Sequence, residues 1–118
     1  YHYVWTPKYR HKILEKVEEN LEKWIQKIAK NNDYKIISLH ISPDHIHLFL
    51  STHPKHSPSE IIHRIKSITA RKLWENHEQL MEQYFWGGGC WETSYYIGTA
   101  GEVSSDTIQK YIERIEHV

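Results

Sequence analysis

Three features of the 118-residue sequence predict an α+β fold built on an antiparallel sheet. Two runs of alternating apolar residues flank a Ser-Pro-Asp turn. Stretches with apolar residues at three- and four-residue spacing lie before and after that pair, and short aromatic or β-branched segments stand at the outer ends. The resulting order is βαββαβ plus one further helix. This is the split-βαβ, ferredoxin-like arrangement, with helices on one face of the sheet and the other face open. One domain over 1–118 accommodates it, its last segment, 103–118, being a C-terminal helix that carries Tyr111.

Tyr1 to Thr6 is aromatic and β-branched and stops at Pro7, which predicts a first strand. Leu14, Val17, Leu21, Trp24, Ile25 and Ile28 then recur at helical spacing, predicting an amphipathic helix from about Ile13 to Asn31, ended by Asn31-Asn32-Asp33. Tyr34 to Ser42 alternates, with Ile37, Leu39 and Ile41 expected on one face. Ser42-Pro43-Asp44 supplies turn chemistry, because proline presets φ and Asp can bond its own backbone. His45 to Thr52 alternates again, placing Ile46, Leu48 and Leu50 on one side and His45, His47 and Phe49 on the other. These two runs predict a hairpin.

Ser57-Pro58-Ser59-Glu60 is a capping box with proline at the first helical position, and Ile61, Ile62, Ile65, Ile68 and Leu73 form the buried stripe of the helix it opens. Gly87-Gly88-Gly89 predicts a loop, and Trp91 to Gly98 a fourth strand. A linker, Gly98-Thr99-Ala100-Gly101, precedes the final helix, expected to be capped by Ser104, with Asp106 favourably placed in its first turn.

Composition narrows the function classes. Fifteen basic and fifteen acidic residues give zero formal charge. A mean hydropathy of -0.69 leaves no room for a membrane span, and no signal-peptide pattern opens the chain. The lone Cys90 excludes an internal disulfide framework and fits a reducing, cytoplasmic setting. The neutral total conceals an asymmetry: Lys55, Arg64, Lys66, Arg71 and Lys72 face one acid between His53 and Lys72, whereas Leu73 to Gln109 holds six acids and no Lys or Arg. A neutral chain can thus present a basic face to a polyanion, although a charge run also suits a plain solvated helix face.

The strongest chemical signal is His45-Ile46-His47. Strand residues two apart project from the same side, so both imidazoles stand on the open face if Ile46 meets the helices. Two neutral imidazoles so placed can bind one divalent cation and leave positions for substrate oxygens. The same spacing also suits two half-exposed strand histidines that bind nothing. His40 is expected across the hairpin on that face. Tyr111 is a second candidate, since a phenolate can attack a phosphodiester, but its free pKa of about 10 calls for a nearby cation. A helical tyrosine is more often simply packed. Basic residues mixed with aromatics, namely Lys8, Tyr9 and Arg10 after the first strand and Arg64, Lys66 and Arg71 on the second helix, suit phosphate neutralisation and base stacking. Most of the five tryptophans are expected in the core. Walker loops, dinucleotide glycine fingerprints, CxxC pairs and GxSxG elbows do not occur.

Several ordered motifs together resemble the small single-tyrosine HUH transposases of insertion sequences (the IS200-like family), over nearly the whole chain. They are Tyr3-Val4-Trp5-Thr6-Pro7-Lys8-Tyr9-Arg10, Ser42-Pro43-Asp44-His45-Ile46-His47-Leu48, the capped helix at Ser57, Phe85-Trp86-Gly87-Gly88-Gly89, and Tyr96-Ile97-Gly98-Thr99 through to Lys110-Tyr111-Ile112-Glu113. The resemblance implies a strand transferase in which His45 and His47 ligand Mg²⁺ or Mn²⁺. Tyr111 would form a 5′-phosphotyrosine link, and no nucleotide cofactor would be needed. It further implies single-stranded DNA with hairpin ends as substrate and a homodimer whose tyrosine helix acts in trans across the Gly98 to Gly101 hinge. The family often supplies a third metal ligand, commonly Gln, one turn after the tyrosine. Here that position is Ile115, and on ideal spacing neither Glu113 nor Glu116 lies beside Tyr111, leaving water, Asp44 or His40 to complete the shell. Two other readings compete: a non-catalytic single-stranded nucleic-acid-binding module on the same fold, and a related single-tyrosine nuclease kept for a cellular task.

Overall fold

The computed structural model describes residues 1–99 and 105–114. Four strands, β1 (His2–Trp5), β2 (Lys35–Ser42), β3 (His45–Ser51) and β4 (Tyr96–Gly98), form one sheet in the order β2-β3-β1-β4, every neighbouring pair antiparallel. Helices α1 (Glu18–Asn31), α2 (Pro58–Asn76), α3 (Glu78–Phe85) and α4 (Ser105–Glu113) complete it. The expected α+β order is therefore present, with one helix more than the sequence pattern indicates.

Alternation along the two central strands decides which face carries what. Tyr3, Trp5, Ile46, Leu48 and Leu50 are almost wholly buried against Leu21, Ile25 and Ile28 of α1 and Ile61, Ile62, Ile65 and Leu73 of α2. Each such aliphatic side chain stabilises the fold by about 1.5–3 kcal/mol relative to exposure. The residues between them, His2, Val4, His45, His47 and Phe49, necessarily emerge on the opposite face. That face is open over the histidines, but α4 covers part of it: Val4 packs with Tyr111, Ile112 and Tyr96 in a small cluster separate from the main core.

Several boundaries differ from expectation for identifiable reasons. Leu14–Lys16 is a 3₁₀ turn and α1 starts only at Glu18, because the Leu14 amide donates to the Pro43 carbonyl of the hairpin turn rather than within a helix. On β2, a bulge between Ile36 and Ser38 shifts the register. It brings Ile36 against the core and turns out Ile37, which is half-exposed at 51% instead of lying inward with Leu39 and Ile41. Helix α3 follows a break at His77, whose ring nitrogen meets Asn20 of α1, and buries Met81 and Phe85. Leu80, Met81, Tyr84 and Phe85 carried that helical spacing in the sequence.

The fourth strand is shorter than Trp91 to Gly98. Trp91 forms only a single bridge with Pro7, after which the chain leaves the ladder, and Lys66 collects the carbonyls of Glu92, Thr93 and Ser94 at 2.6, 3.4 and 3.3 Å. The serine half of the expected capping box of α2 is present, with the Glu60 amide donating to Ser57 Oγ at 3.2 Å. The Ser104 cap, Gly101 of the linker and Ile115 lie outside the described residues. No helix among the described residues is long and apolar enough to cross a membrane.

Candidate metal and tyrosine site

His45 and His47 share the face opposite the core, as the two-residue strand period requires. In the ladder His47 stands between His40 of β2 and Val4 of β1, and His45 opposes Ser42. Each imidazole has its own partner. The Nδ1 of His45 lies 2.9 Å from Asp44 Oδ1, at the hairpin turn. A carboxylate there favours the tautomer with hydrogen on Nδ1 and leaves the Nε2 lone pair free, the usual support of a metal-binding imidazole. His47 Nε2 lies 2.9 Å from Nδ1 of His2, whose ring in turn stacks on Phe49 at 3.9 Å. Burial first, then the neighbouring His2, His40 and His45, hold His47 below its usual pKa. Burial also lowers His2. Both therefore favour the neutral form, which a metal requires.

The donor chemistry fits a divalent ion held by two protein nitrogens, with a carboxylate orienting one of them. Among the described residues no three His, Cys, Asp or Glu side chains are grouped closely enough to hold an ion by themselves. Further ligands would therefore come from water, substrate or residues outside that set.

Tyr111 reaches this same face from α4. Its ring is 8% exposed and packs with Val4, the cross-strand neighbour of His47, and with Tyr96, whose ring centroid is 6.4 Å away. The hydroxyl lies 3.2 Å from Ser94 Oγ. Burial raises the phenol pKa, opposed by that hydrogen bond and by Arg114. In this arrangement the phenol stays protonated at neutral pH and would need a cation to favour its phenolate.

Arg10 joins the two halves. Its Nη1 donates to the Ile112 carbonyl at 2.9 Å, while its Nε makes an ion pair with Asp44 Oδ2 at 3.4 Å. Through Asp44 it is linked to His45, and through Ile112 to the helix of Tyr111. Holding it there takes two consecutive left-handed residues, Tyr9 at φ 58° and Arg10 at φ 56°. Non-glycine residues cost about 1–2 kcal/mol each in that region, so the surrounding contacts must enforce the turn.

The other basic candidates are dispersed. Lys8 Nζ donates to the Gly88 carbonyl at 3.1 Å, and Tyr9 is 44% exposed beside it. Arg64, Lys66 and Arg71 lie on α2, on the helical side of the sheet, away from the histidines. Arg64 bonds Asn32 Oδ1 and Tyr34, Arg71 pairs with Glu75 at 3.7 Å, and Lys66 is half-buried over the 92–94 carbonyls and the Tyr95 ring. Sequence reasoning did not reach His2, the bridging role of Arg10, or Ser94. The parity of His2 with Val4 was a signal for the first; cross-strand register alone brings it to His47.

Comparisons with known proteins show the family and the fold. Residues 1–115 match the sequence model of the family described as "Transposase IS200 like". The ISDra2 transposase TnpA of Deinococcus radiodurans is 38% identical over 114 residues, spanning 96% of this chain and 81% of that protein. The transposase for insertion sequence element IS200 of Salmonella typhimurium is 29% identical over 118 residues, spanning 96% of this chain and 74% of the relative. A crystal structure of a candidate transposase from Deinococcus radiodurans R1 superposes with a TM-score of 0.90 at 31% identity, over 99% of this chain and 90% of that one.

Proposed function

Because the chain belongs to the IS200-like transposase family, we propose that it cuts and rejoins single-stranded DNA with hairpin ends through a covalent tyrosine intermediate, with the aid of Mg²⁺ or Mn²⁺. One observation carries the reading: Tyr111 packs on Val4, the strand neighbour of His47, so the nucleophile and the imidazole pair belong to one face of one sheet.

His45 and His47 would hold the ion, which when bound supplies positive charge and Lewis acidity at the scissile phosphate. Tyr111 Oη loses its proton and attacks phosphorus. The new O–P bond replaces the bond to the 3′ oxygen, which takes up a proton and leaves as a free 3′-OH, while the 5′ side stays attached as phosphotyrosine. Attack by another 3′-OH reverses the exchange and frees the tyrosine, so phosphodiester energy is retained and no nucleotide cofactor is consumed. Asp44 orients His45, and Arg10 positions both Asp44 and the end of α4. Arg10, linked through Asp44 to His45, and its neighbours Lys8 and Tyr9 would meet the cleaved strand. Arg64, Lys66 and Arg71 would meet DNA that passes around to α2.

The working form is read as a homodimer in which the tyrosine helix of one subunit serves the histidine pair of the other. The separateness of the cluster under α4 supports this, since a helix resting on Val4 and Tyr96 and tied by Arg10 and Ser94 can be exchanged without opening the main core.

The test incubates the protein with a hairpin-bearing single strand and Mg²⁺ or Mn²⁺ and looks for an adduct that survives denaturation. Wild type is expected to form it, Tyr111→Phe to form none, and His45→Ala or His47→Ala to lose nearly all of it. An adduct indifferent to Tyr111→Phe refutes the nucleophile, and DNA binding without metal-dependent cleavage favours the binding-module reading. Mixing a His45→Ala/His47→Ala protein with a Tyr111→Phe protein restores the adduct if the helix acts in trans and leaves none if it acts in cis.

A further inference from the structure

Of the five tryptophans, Trp5 and Trp91 are buried at 0% and 7% exposure, and Trp24 and Trp74 pack against the same core. Trp86 is 86% exposed. An indole so presented is the least expected surface residue of this chain, and it is not alone. With Tyr9, Lys8, Tyr84 and the Gly87–Gly88 turn it borders a cleft of about 210 Å³.

Both walls of that cleft are built in advance. The Tyr9 wall is set by the left-handed backbone at Tyr9 and Arg10. The Trp86 wall is a turn closed by the Gly88 amide donating to the Phe85 carbonyl at 2.8 Å, with Gly88 at φ 96° and Gly89 at φ 72°. Those angles favour glycine, because a β-carbon is strained there. Lys8 ties the walls together: its amide donates to the Cys90 carbonyl at 2.8 Å and its ammonium to the Gly88 carbonyl at 3.1 Å. Trp74 Nε1 fixes the far side of the turn on the Gly89 carbonyl at 2.8 Å.

The lining combines aromatic faces with the charge of Lys8 and includes no acidic side chain. Aromatic faces with an adjacent cation suit a flat, anionic polymer: each unpaired base can stack on a ring while the cation attracts its phosphate. Tyr9, on one wall of the cleft, is followed in the chain by Arg10, which contacts Asp44 and the Ile112 carbonyl. We infer that Trp86 and Tyr9 form a stacking subsite for an unpaired base of single-stranded nucleic acid. The inference rests on the proposed action on single strands and adds to it the residues that grip the strand.

The test measures binding of a fluorescent dodecathymidylate by anisotropy, without metal, at several salt concentrations. Trp86→Ala is expected to weaken binding about 5- to 150-fold, the range of one lost base stack. Trp86→Phe is expected to retain most of the affinity, and Tyr9→Ala to weaken it. The salt slope should stay at the wild-type value, because stacking releases no counterions. A melting temperature near wild type for Trp86→Ala confirms that an exposed ring, not the fold, was removed. Unchanged affinity in Trp86→Ala overturns the subsite, as does a loss of affinity accompanied by a lower molecular mass in light scattering, which would mark the ring as a contact between copies. If wild type forms the Tyr111 adduct while Trp86→Ala binds normally, only the subsite fails. If wild type does not bind the strand at all, the proposed function fails with it.

Discussion

The histidine strand and the tyrosine helix lie on one face of the sheet but are held by different means. β3 is hydrogen-bonded to a strand on each side, and Ile46, Leu48 and Leu50, which alternate with its histidines, are buried in the main core. α4 rests on a small separate cluster of Val4, Tyr96, Tyr111 and Ile112, secured by Arg10 at a backbone carbonyl and Ser94 at the phenol. The imidazoles therefore keep their positions as long as the domain is folded. Tyr111 keeps its position only while a handful of local contacts persist. In the proposed reaction, where the imidazoles would stay with the ion and Tyr111 would carry a strand and then release it, that division of stiffness is useful.

The comparison can be broken most directly by matched truncations. Ile46→Ala should cost about 2–5 kcal/mol, as for other isoleucines cut back in a closed core, and should lower the melting temperature and the adduct yield together. Ile112→Ala, although 4% exposed in the native fold, should cost less. Its loss is capped by the free energy of undocking α4 while the rest of the domain stays folded. Thermal melts read out both. Equal losses would mean that the tyrosine helix and the core unfold as one unit.

Arg10 is the next lever, because its guanidinium contacts both halves, Asp44 on one side and the Ile112 carbonyl on the other. Arg10→Met should lower adduct formation at least tenfold while costing about 1.5–3 kcal/mol of stability, the range for hydrogen bonds to a charged group. Arg10→Lys should rescue little, since one ammonium on a flexible stem does not reproduce the planar fork that meets a carbonyl and a carboxylate together. Full rescue by lysine would show that charge, not the bridge, is what matters.

Acid gives the smallest and most selective effect. His47 and His2 are held below the ordinary histidine value of 6.5, so the unfolded chain binds protons that the folded chain resists. Their stabilising contribution is complete above about pH 6.5 and diminishes as the pH falls toward their lowered values. Melting temperature should fall with acid over that range, and the slope should flatten in His47→Asn. Addition of Mn²⁺ should protect wild type near neutrality and lose its effect as protons compete for the imidazoles. A slope unaffected by His47→Asn would place the acid-sensitive groups elsewhere.

Local pattern made much of this molecule legible. A two-residue strand period was enough to place His45 and His47 together and opposite Ile46, and a capping box was enough to start α2. Motif resemblance, not periodicity, singled out Tyr111 from eight tyrosines. Other features depended on what lay across the fold. The β2 bulge reversed Ile37 because pairing with β3 set the register. The Glu92–Ser94 segment left the sheet because Lys66, remote in sequence, satisfied its carbonyls. Most tryptophans lie in or against the core, as expected, but which one stands in solvent was not legible: it is Trp86, because Met81 and Phe85 take the inward side of α3.

Spacing within single segments was enough to read the βαββαβ order, though not α3, together with the face of each central strand and the position of the imidazole pair. Tertiary structure alone decided that His2 meets His47, that Arg10 spans Asp44 and the tyrosine helix, and that Tyr111 comes to rest on Val4. Each of those contacts joins residues far apart along the chain. Their meeting is set by strand pairing and by which buried surfaces close on one another, neither of which a local pattern encodes.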